Sequence, residues 1–117
     1  MKSFMVPLLL MCTACVVRAQ SNTPITLTTY PDLTGNGSTQ QVQSSGMCRW
    51  VLFVPLKANS AVTRIGDINV GVSRGIPVDA GGGMLPPVPT DVNYRYALSS
   101  LYFYGSSGDK LSVTCGN

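Results

Sequence analysis

The chain has 117 residues, of which 11% are charged, with four cysteines and no histidine. All five acidic residues are aspartates in turn-like sequence, so the usual groups for acid–base catalysis at neutral pH are missing. We expect no enzyme activity, catalytic residue, metal site or cofactor. The formal charge of +3 falls to about +1 beyond residue 19, without a basic cluster, which argues against nucleic-acid binding.

An almost unbroken apolar run, FMVPLLLMCTACVV, extends from Phe4 to Val17. A membrane-spanning helix needs about 20 apolar residues, whereas this shorter run is typical of a signal-peptide core. We interpret residues 1–19 as a signal peptide or hydrophobic leader, cleaved after Ala19. Lipidation at Cys15 is a second interpretation, and either it or an uncleaved leader would attach the chain to a membrane. A redox pair of Cys12 and Cys15 is disfavoured because no βαβ unit follows.

Residues 20–46 are rich in Ser, Thr, Gly, Asn and Gln. Within them, Ile25 and Leu27 alternate with threonines in ITLTTY, which predicts one short strand. The following TGNGSTQQVQSSG has the composition of a loop. We therefore predict a polar flexible segment with a single short strand.

The stretch CRWVLFVPLK opens the predicted core domain, residues 47–117. Its apolar residues occupy both faces of a period-two pattern, which is typical of a strand covered on both sides. In this pattern Cys48, Trp50 and Leu52 share one face, while Val51 and Phe53 share the other. We assign Trp50 and Leu52 to the core.

Further short strands are predicted in AVTRI, INVGV, IPV, YRYAL, SLYFY and KLSVTC, each beside turn residues. This spacing indicates an all-β fold, a small β-sandwich or jelly-roll-like barrel of short antiparallel strands. SLYFY and KLSVTC, joined by the glycine-containing loop 105–109, predict a hairpin. Its core residues would be Phe103, Leu111 and Val113.

Two cysteines, Cys48 and Cys115, lie beyond the leader, and alternation turns both toward the core. In an exported protein such a pair is expected to form a disulfide, which the chain-entropy model values at about 4 kcal/mol. Two free buried thiols, as in a virion assembled in a reducing cytoplasm, are the alternative. A metal site is disfavoured because neither His nor Glu is present to complete it.

Three short motifs suggest chemistry but favour turns. SGDK (107–110) matches the S-x-x-K pattern of penicillin-binding enzymes, yet that mechanism needs the serine at a helix start. DIN (67–69) and DVN (91–93) could offer oxygens to Ca²⁺, but neither continues into a complete calcium loop. We interpret the aspartates as turn residues that bond their own backbone.

Tyrosines and prolines supply the candidate interface. Amphipathic rings favour protein or carbohydrate contacts, although a half-buried sheet face is an alternative interpretation. The small domain and low charge further favour self-association, as a homo-oligomer or a repeated subunit. The candidate interface residues are Tyr94, Tyr96, Tyr102, Tyr104, Pro86 and Pro87.

Residues 61–113 contain RIGDINVGVSRGIPVDAGGG and then YALSSLYFYGSSGDKLSVT. This arrangement resembles small β-rich structural proteins of tailed bacteriophages. The resemblance implies a non-enzymatic virion component, such as a capsid decoration or head or tail accessory protein, that contacts itself or capsid or tail proteins. The leader and the cysteine pair instead favour a secreted or periplasmic β-sandwich that binds a protein or carbohydrate partner. The expected location is the virion, or the periplasm or extracellular space if the leader is cleaved.

Overall fold

The computed structural model describes residues 26–87 and 90–117, so the predicted leader, residues 1–19, lies outside the described residues. The described residues form short strands and one short 3₁₀ helix, an all-β fold as predicted. The strands are β1 (Leu27–Thr29), β2 (Leu33–Thr34), β3 (Thr39–Gln41), β4 (Met47–Cys48), β5 (Trp50–Pro55), β6 (Thr63–Gly66), β7 (Ile76–Val78), β8 (Tyr96–Ala97), β9 (Tyr102–Tyr104) and β10 (Lys110–Gly116), and the 3₁₀ helix is Leu98–Ser100.

Two antiparallel four-stranded sheets carry the fold. In the first, which we call the β10 sheet, β10 pairs with β5 on one side and with β1 and β2 on the other. The second, the β9 sheet, has the order β3-β9-β6-β7. A separate two-stranded ladder joins β4 to β8.

The inner faces of the two sheets share one core, so the fold is β-sandwich-like. Phe53 from the β10 sheet and Phe103 from the β9 sheet are at most 1% exposed. Burying such a side chain stabilises the fold by roughly 1.5–3 kcal/mol. The core residues are Val42, Cys48, Val51, Phe53, Ile65, Val78, Leu98, Phe103, Leu111, Val113 and Cys115.

The core prediction is confirmed for the β9 and β10 residues and is wrong for β5. Val51 and Phe53 are buried, whereas Trp50 and Leu52 are half-buried on the outer face. The reason is a bend at Arg49 between β4 and β5. Alternation therefore does not continue from Cys48, and the inward face of β5 begins one residue later than a continuous strand would place it.

The outward-facing indole of Trp50 covers the end of β10. Trp50 is the register partner of Gly116, and a β-carbon added to Gly116 would overlap the indole ring. A large aromatic side chain over a cross-strand glycine is a known way to stabilise a sheet. Glycine at position 116 thus makes room for the chain's single tryptophan.

The predicted hairpin of β9 and β10 is wrong. β9 pairs with β3 and β6, whereas β10 pairs with β1, β2 and β5, so the connection crosses from one sheet to the other. Hairpins and such arches share the same alternation and turn residues, and only the pairing partners distinguish them. The crossing lets Phe103 and Leu111 enter the core from opposite sheets.

A second arch, between β2 and β3, stacks on this one. The backbone of Gly35 donates to the carbonyl of Asp109 at 2.7 Å, and Gly108 donates back to Gly35 at 3.0 Å. Gly37 also donates to the carbonyl of Gly105 at 2.9 Å. These bonds satisfy backbone groups of both arches at one end of the sandwich.

Two further segments differ from their predictions. Residues 26–46 contain β1, β2 and β3, instead of a flexible segment with one strand. The predicted strand INVGV (68–72) is a turn, because Val70 donates its N–H to the carbonyl of Asp67 and Asn69 donates to the Asp67 carboxylate. The neighbouring predictions AVTRI and IPV correspond to β6 and β7.

Candidate functional site

The predicted disulfide between Cys48 and Cys115 is present. Their Cα atoms lie 5.6 Å apart, and both residues are buried. Cys48 belongs to the β4–β8 ladder and Cys115 to β10, so the bond ties that ladder to the β10 sheet. A sequence separation of 67 residues gives the cross-link an entropic contribution of about 4 kcal/mol.

The four candidate tyrosines fall into two separate groups. The first, the Tyr94–Tyr96 pair, packs edge to face with ring centroids 5.5 Å apart. Tyr94 is 48% exposed. The hydroxyl of Tyr96 donates to the carbonyl of Pro87, whereas Pro86 is buried.

The second group, Tyr102 and Tyr104, lies on the outer face of the β9 sheet. Both are half-buried and flank the buried Phe103 in β9. Their register partners bring polar or basic residues to the same surface, since Tyr104 is opposite both Thr39 and Arg64. We call Tyr102 and Tyr104 the outer tyrosine face.

Asp109 ties the β9–β10 arch to the loop that follows β5. Its carboxylate accepts hydrogen bonds from the backbone N–H groups of Ser60 at 2.9 Å and Ala61 at 3.1 Å, and from the Ser60 hydroxyl. The Ser60 N–H is the largest cause that lowers the pKa of Asp109, burial opposes it, and the Ser60 hydroxyl and Ala61 N–H lower it further. The ionised carboxylate therefore fastens two loops together.

Asn59 reinforces this connection. Its side-chain oxygen accepts from the N–H of Lys110 at 2.8 Å, and its amide nitrogen donates to the Lys110 carbonyl at 2.7 Å. The Lys110 ammonium donates to the Thr34 hydroxyl at 3.2 Å. Asp109 and Lys110 of the SGDK motif thus hold loops together, whereas Ser107 lies exposed at the arch tip.

The two candidate calcium motifs form turns. Asp67 and Asp91 each accept a hydrogen bond at 2.9 Å from the backbone of the asparagine two residues later. Within residues 26–87 and 90–117, no three His, Cys, Asp or Glu side chains are grouped to hold a metal ion. This arrangement supports their interpretation as turn residues.

The turn that replaces the predicted INVGV strand borders a pocket of about 230 Å³. Asp67, Asn69 and Arg74 contribute polar groups to it, and Val70 closes one side. Gly75 has a φ of 109° and lies against Val70, where a β-carbon would clash. Sequence reasoning missed this pocket because it treated residues 68–72 as a strand.

A further arrangement, around the carbonyl of Val92, was also missed. Nη1 of Arg49 donates to this oxygen at 2.9 Å, and Nη1 of Arg95 donates to it at 2.7 Å and to the Tyr94 carbonyl at 2.8 Å. The antiparallel pairing of Cys48 with Tyr96 explains how residues distant in sequence meet here. Pairing of two-residue strands leaves no periodic signal in the sequence.

In the part of the chain that the structure describes, no helix is both long and apolar enough to cross a membrane. No protein-family model, curated protein or solved structure matches the chain. The resemblance to phage structural proteins consequently stays a prediction.

Proposed function

We propose that the chain is an exported, non-enzymatic β-sandwich that acts by binding a protein partner. The observation that carries this proposal is the buried Cys48–Cys115 disulfide. Such bonds form and persist in oxidising compartments, the periplasm and the extracellular space among them. A small domain gains a large share of its stability from a bond of this kind.

The surface supports a role based on contacts. Several large apolar side chains are 40–74% exposed. The chain carries few charged residues, so electrostatic repulsion opposes association only weakly. Exposed apolar and aromatic side chains are groups that protein interfaces cover. They are Leu27, Met47, Val62, Ile68, Val72, Ile76, Leu85, Val92 and Tyr94.

Contacts through side chains are favoured over strand addition at one sheet edge. β7 is one of the two edge strands of the β9 sheet, and it contains Pro77. Proline has no N–H to donate and protects an edge against pairing with another chain. The outer tyrosine face and the Tyr94–Tyr96 pair are better suited to bind a partner.

The structural roles of three of the five aspartates support the absence of catalysis in this proposal. The Asp109 carboxylate holds two loops, and those of Asp67 and Asp91 close turns. Each of these carboxylates accepts from backbone N–H groups, and Asp109 accepts from the Ser60 hydroxyl as well. The virion role implied by the sequence resemblance is the alternative, and it differs mainly in the compartment of assembly.

Light scattering of the purified protein over a dilution series, combined with binding to virion and envelope fractions, tests the contact role. We expect self-association or binding, which aspartate substitutions at Tyr102 and Tyr104 weaken. Ser112→Asp is the matched control, since Ser112 lies half-buried in β10, in the opposite sheet. A strict monomer that binds neither fraction would overturn the proposal, whereas unchanged assembly of the folded tyrosine variants would exclude only the outer tyrosine face.

A further inference from the structure

Two arginines converge on one oxygen beside the Tyr94–Tyr96 pair. The Val92 carbonyl accepts from both Arg49 and Arg95, so two guanidinium groups of like charge are held close together. The nearest acidic residue in sequence, Asp91, uses a carboxylate oxygen to accept from the Asn93 N–H. A pair of cations held in this way is a site of positive potential that an anion would stabilise.

The guanidinium groups keep donors for a ligand. Each guanidinium has five N–H donors in a planar fork. The hydrogen bonds to Val92 and Tyr94 use only Nη1 of each arginine within the described residues. Carboxylates match the remaining fork because two parallel N–H···O bonds form at once.

Exposed apolar and aromatic side chains lie within three residues of the two arginines in the sequence. Met47 is 56% exposed, Val92 64% and Tyr94 48%. Met, Tyr and Arg are the residue types enriched where proteins contact one another. A ligand that fits this surface carries carboxylates next to apolar side chains, which describes an acidic peptide segment better than a polyhydroxylated glycan.

A disulfide and backbone hydrogen bonds anchor both sides of the site before any ligand arrives. The disulfide at Cys48 fixes the residue before Arg49, whose N–H donates to the Gly116 carbonyl at 2.8 Å. On the other side, the backbone N–H of Tyr94 donates to the Asp91 carbonyl at 3.1 Å and closes the turn that contains Val92. Rigid groups lose little conformational entropy on binding.

From these contacts we propose that Arg49, Arg95 and Tyr94 form a binding site for an acidic peptide segment of the protein partner. The two guanidinium groups bind carboxylate side chains, while Tyr94, Val92 and Met47 contact the apolar residues between them. This proposal rests on the protein-binding function above and names the chemistry of the partner at one site.

The test measures fluorescence anisotropy of a short labelled peptide in which glutamates flank two leucines, added to the disulfide-bonded protein. We expect saturable binding that weakens with salt and is lost in the matched glutamine peptide. Arg49→Gln and Arg95→Gln should each weaken binding about tenfold, as for an interface residue that contributes strongly. Arg64→Gln is the matched control, because Arg64 also donates to a backbone carbonyl, that of Gly75, but on the β9 sheet.

Thermal unfolding of each variant, together with Arg49→Lys, separates loss of the site from loss of the fold. Lysine keeps the charge without the fork, so partial retention of binding supports the proposal. The proposal is overturned if the peptide does not bind, if Arg64→Gln weakens it equally, or if chondroitin sulfate binds in place of the peptide. If partner binding in the virion or envelope fractions persists without peptide binding, this site assignment fails and the proposed function stands.

Discussion

Removing the disulfide should destabilise the domain by a large fraction of its total stability. The double variant Cys48→Ala/Cys115→Ala leaves no unpaired thiol of this pair. A separation of 67 residues predicts a loss of about 4 kcal/mol from the entropy of the unfolded chain. Since small domains have total stabilities of about 5–15 kcal/mol, the variant should retain a marginal fold.

Urea unfolding, followed by the fluorescence of Trp50, measures this loss. At an m-value of about 2 kcal/mol per molar, the midpoint should fall by about 2 M urea. The wild-type protein reduced with dithiothreitol is the control and should unfold near the variant. A difference below about 1 kcal/mol between the oxidised protein and the variant would refute the argument that the cross-link restricts the unfolded chain.

The remaining predictions concern Asp109, Gly116 and the β9–β10 arch. Because the folded-state pKa of Asp109 is lowered from 3.8, the ionised carboxylate stabilises the fold above that value, and this stabilisation is lost as pH falls below it. Asp109→Asn should lower the melting temperature at pH 7 and reduce the fall in melting temperature at acid pH. An unchanged fall at acid pH would contradict this. Gly116→Val should displace the indole of Trp50, shift its fluorescence to the red and cost roughly 1–3 kcal/mol, as for overpacking; unchanged fluorescence would contradict it. Backbone NOEs should connect Phe103 to Gln40 and Ile65, whereas NOEs between paired residues of β9 and β10 would contradict the arch and support the hairpin.

The sequence predicts which side chains face the core wherever a strand runs without interruption. Leu111 and Val113 are buried as predicted because β10 keeps its alternation from Lys110 to Cys115. Trp50 and Leu52 are outward because the bend at Arg49 shifts the phase, and no residue type in CRWVLF marks that bend. The disulfide was predictable because only Cys48 and Cys115 lie beyond the predicted leader.

Pairing between distant short strands limited the prediction of the site. The four tyrosines were predicted to belong to one candidate interface, but β8 pairs with β4 and β9 with β3 and β6, so Tyr96 and the outer tyrosine face lie in different ladders. The meeting of Arg49 and Arg95 depends on the same β4–β8 pairing. Contacts of this kind depend on non-local strand pairing, which local propensity does not encode.

The intact mass of the protein isolated from its native source tests the central claim most directly. An exported module that acts by contact should begin at Gln20 and lack two hydrogens, because the leader has been cleaved and Cys48 is bonded to Cys115. A mass that begins at Met1 with free thiols would contradict export and favour assembly in a reducing cytoplasm.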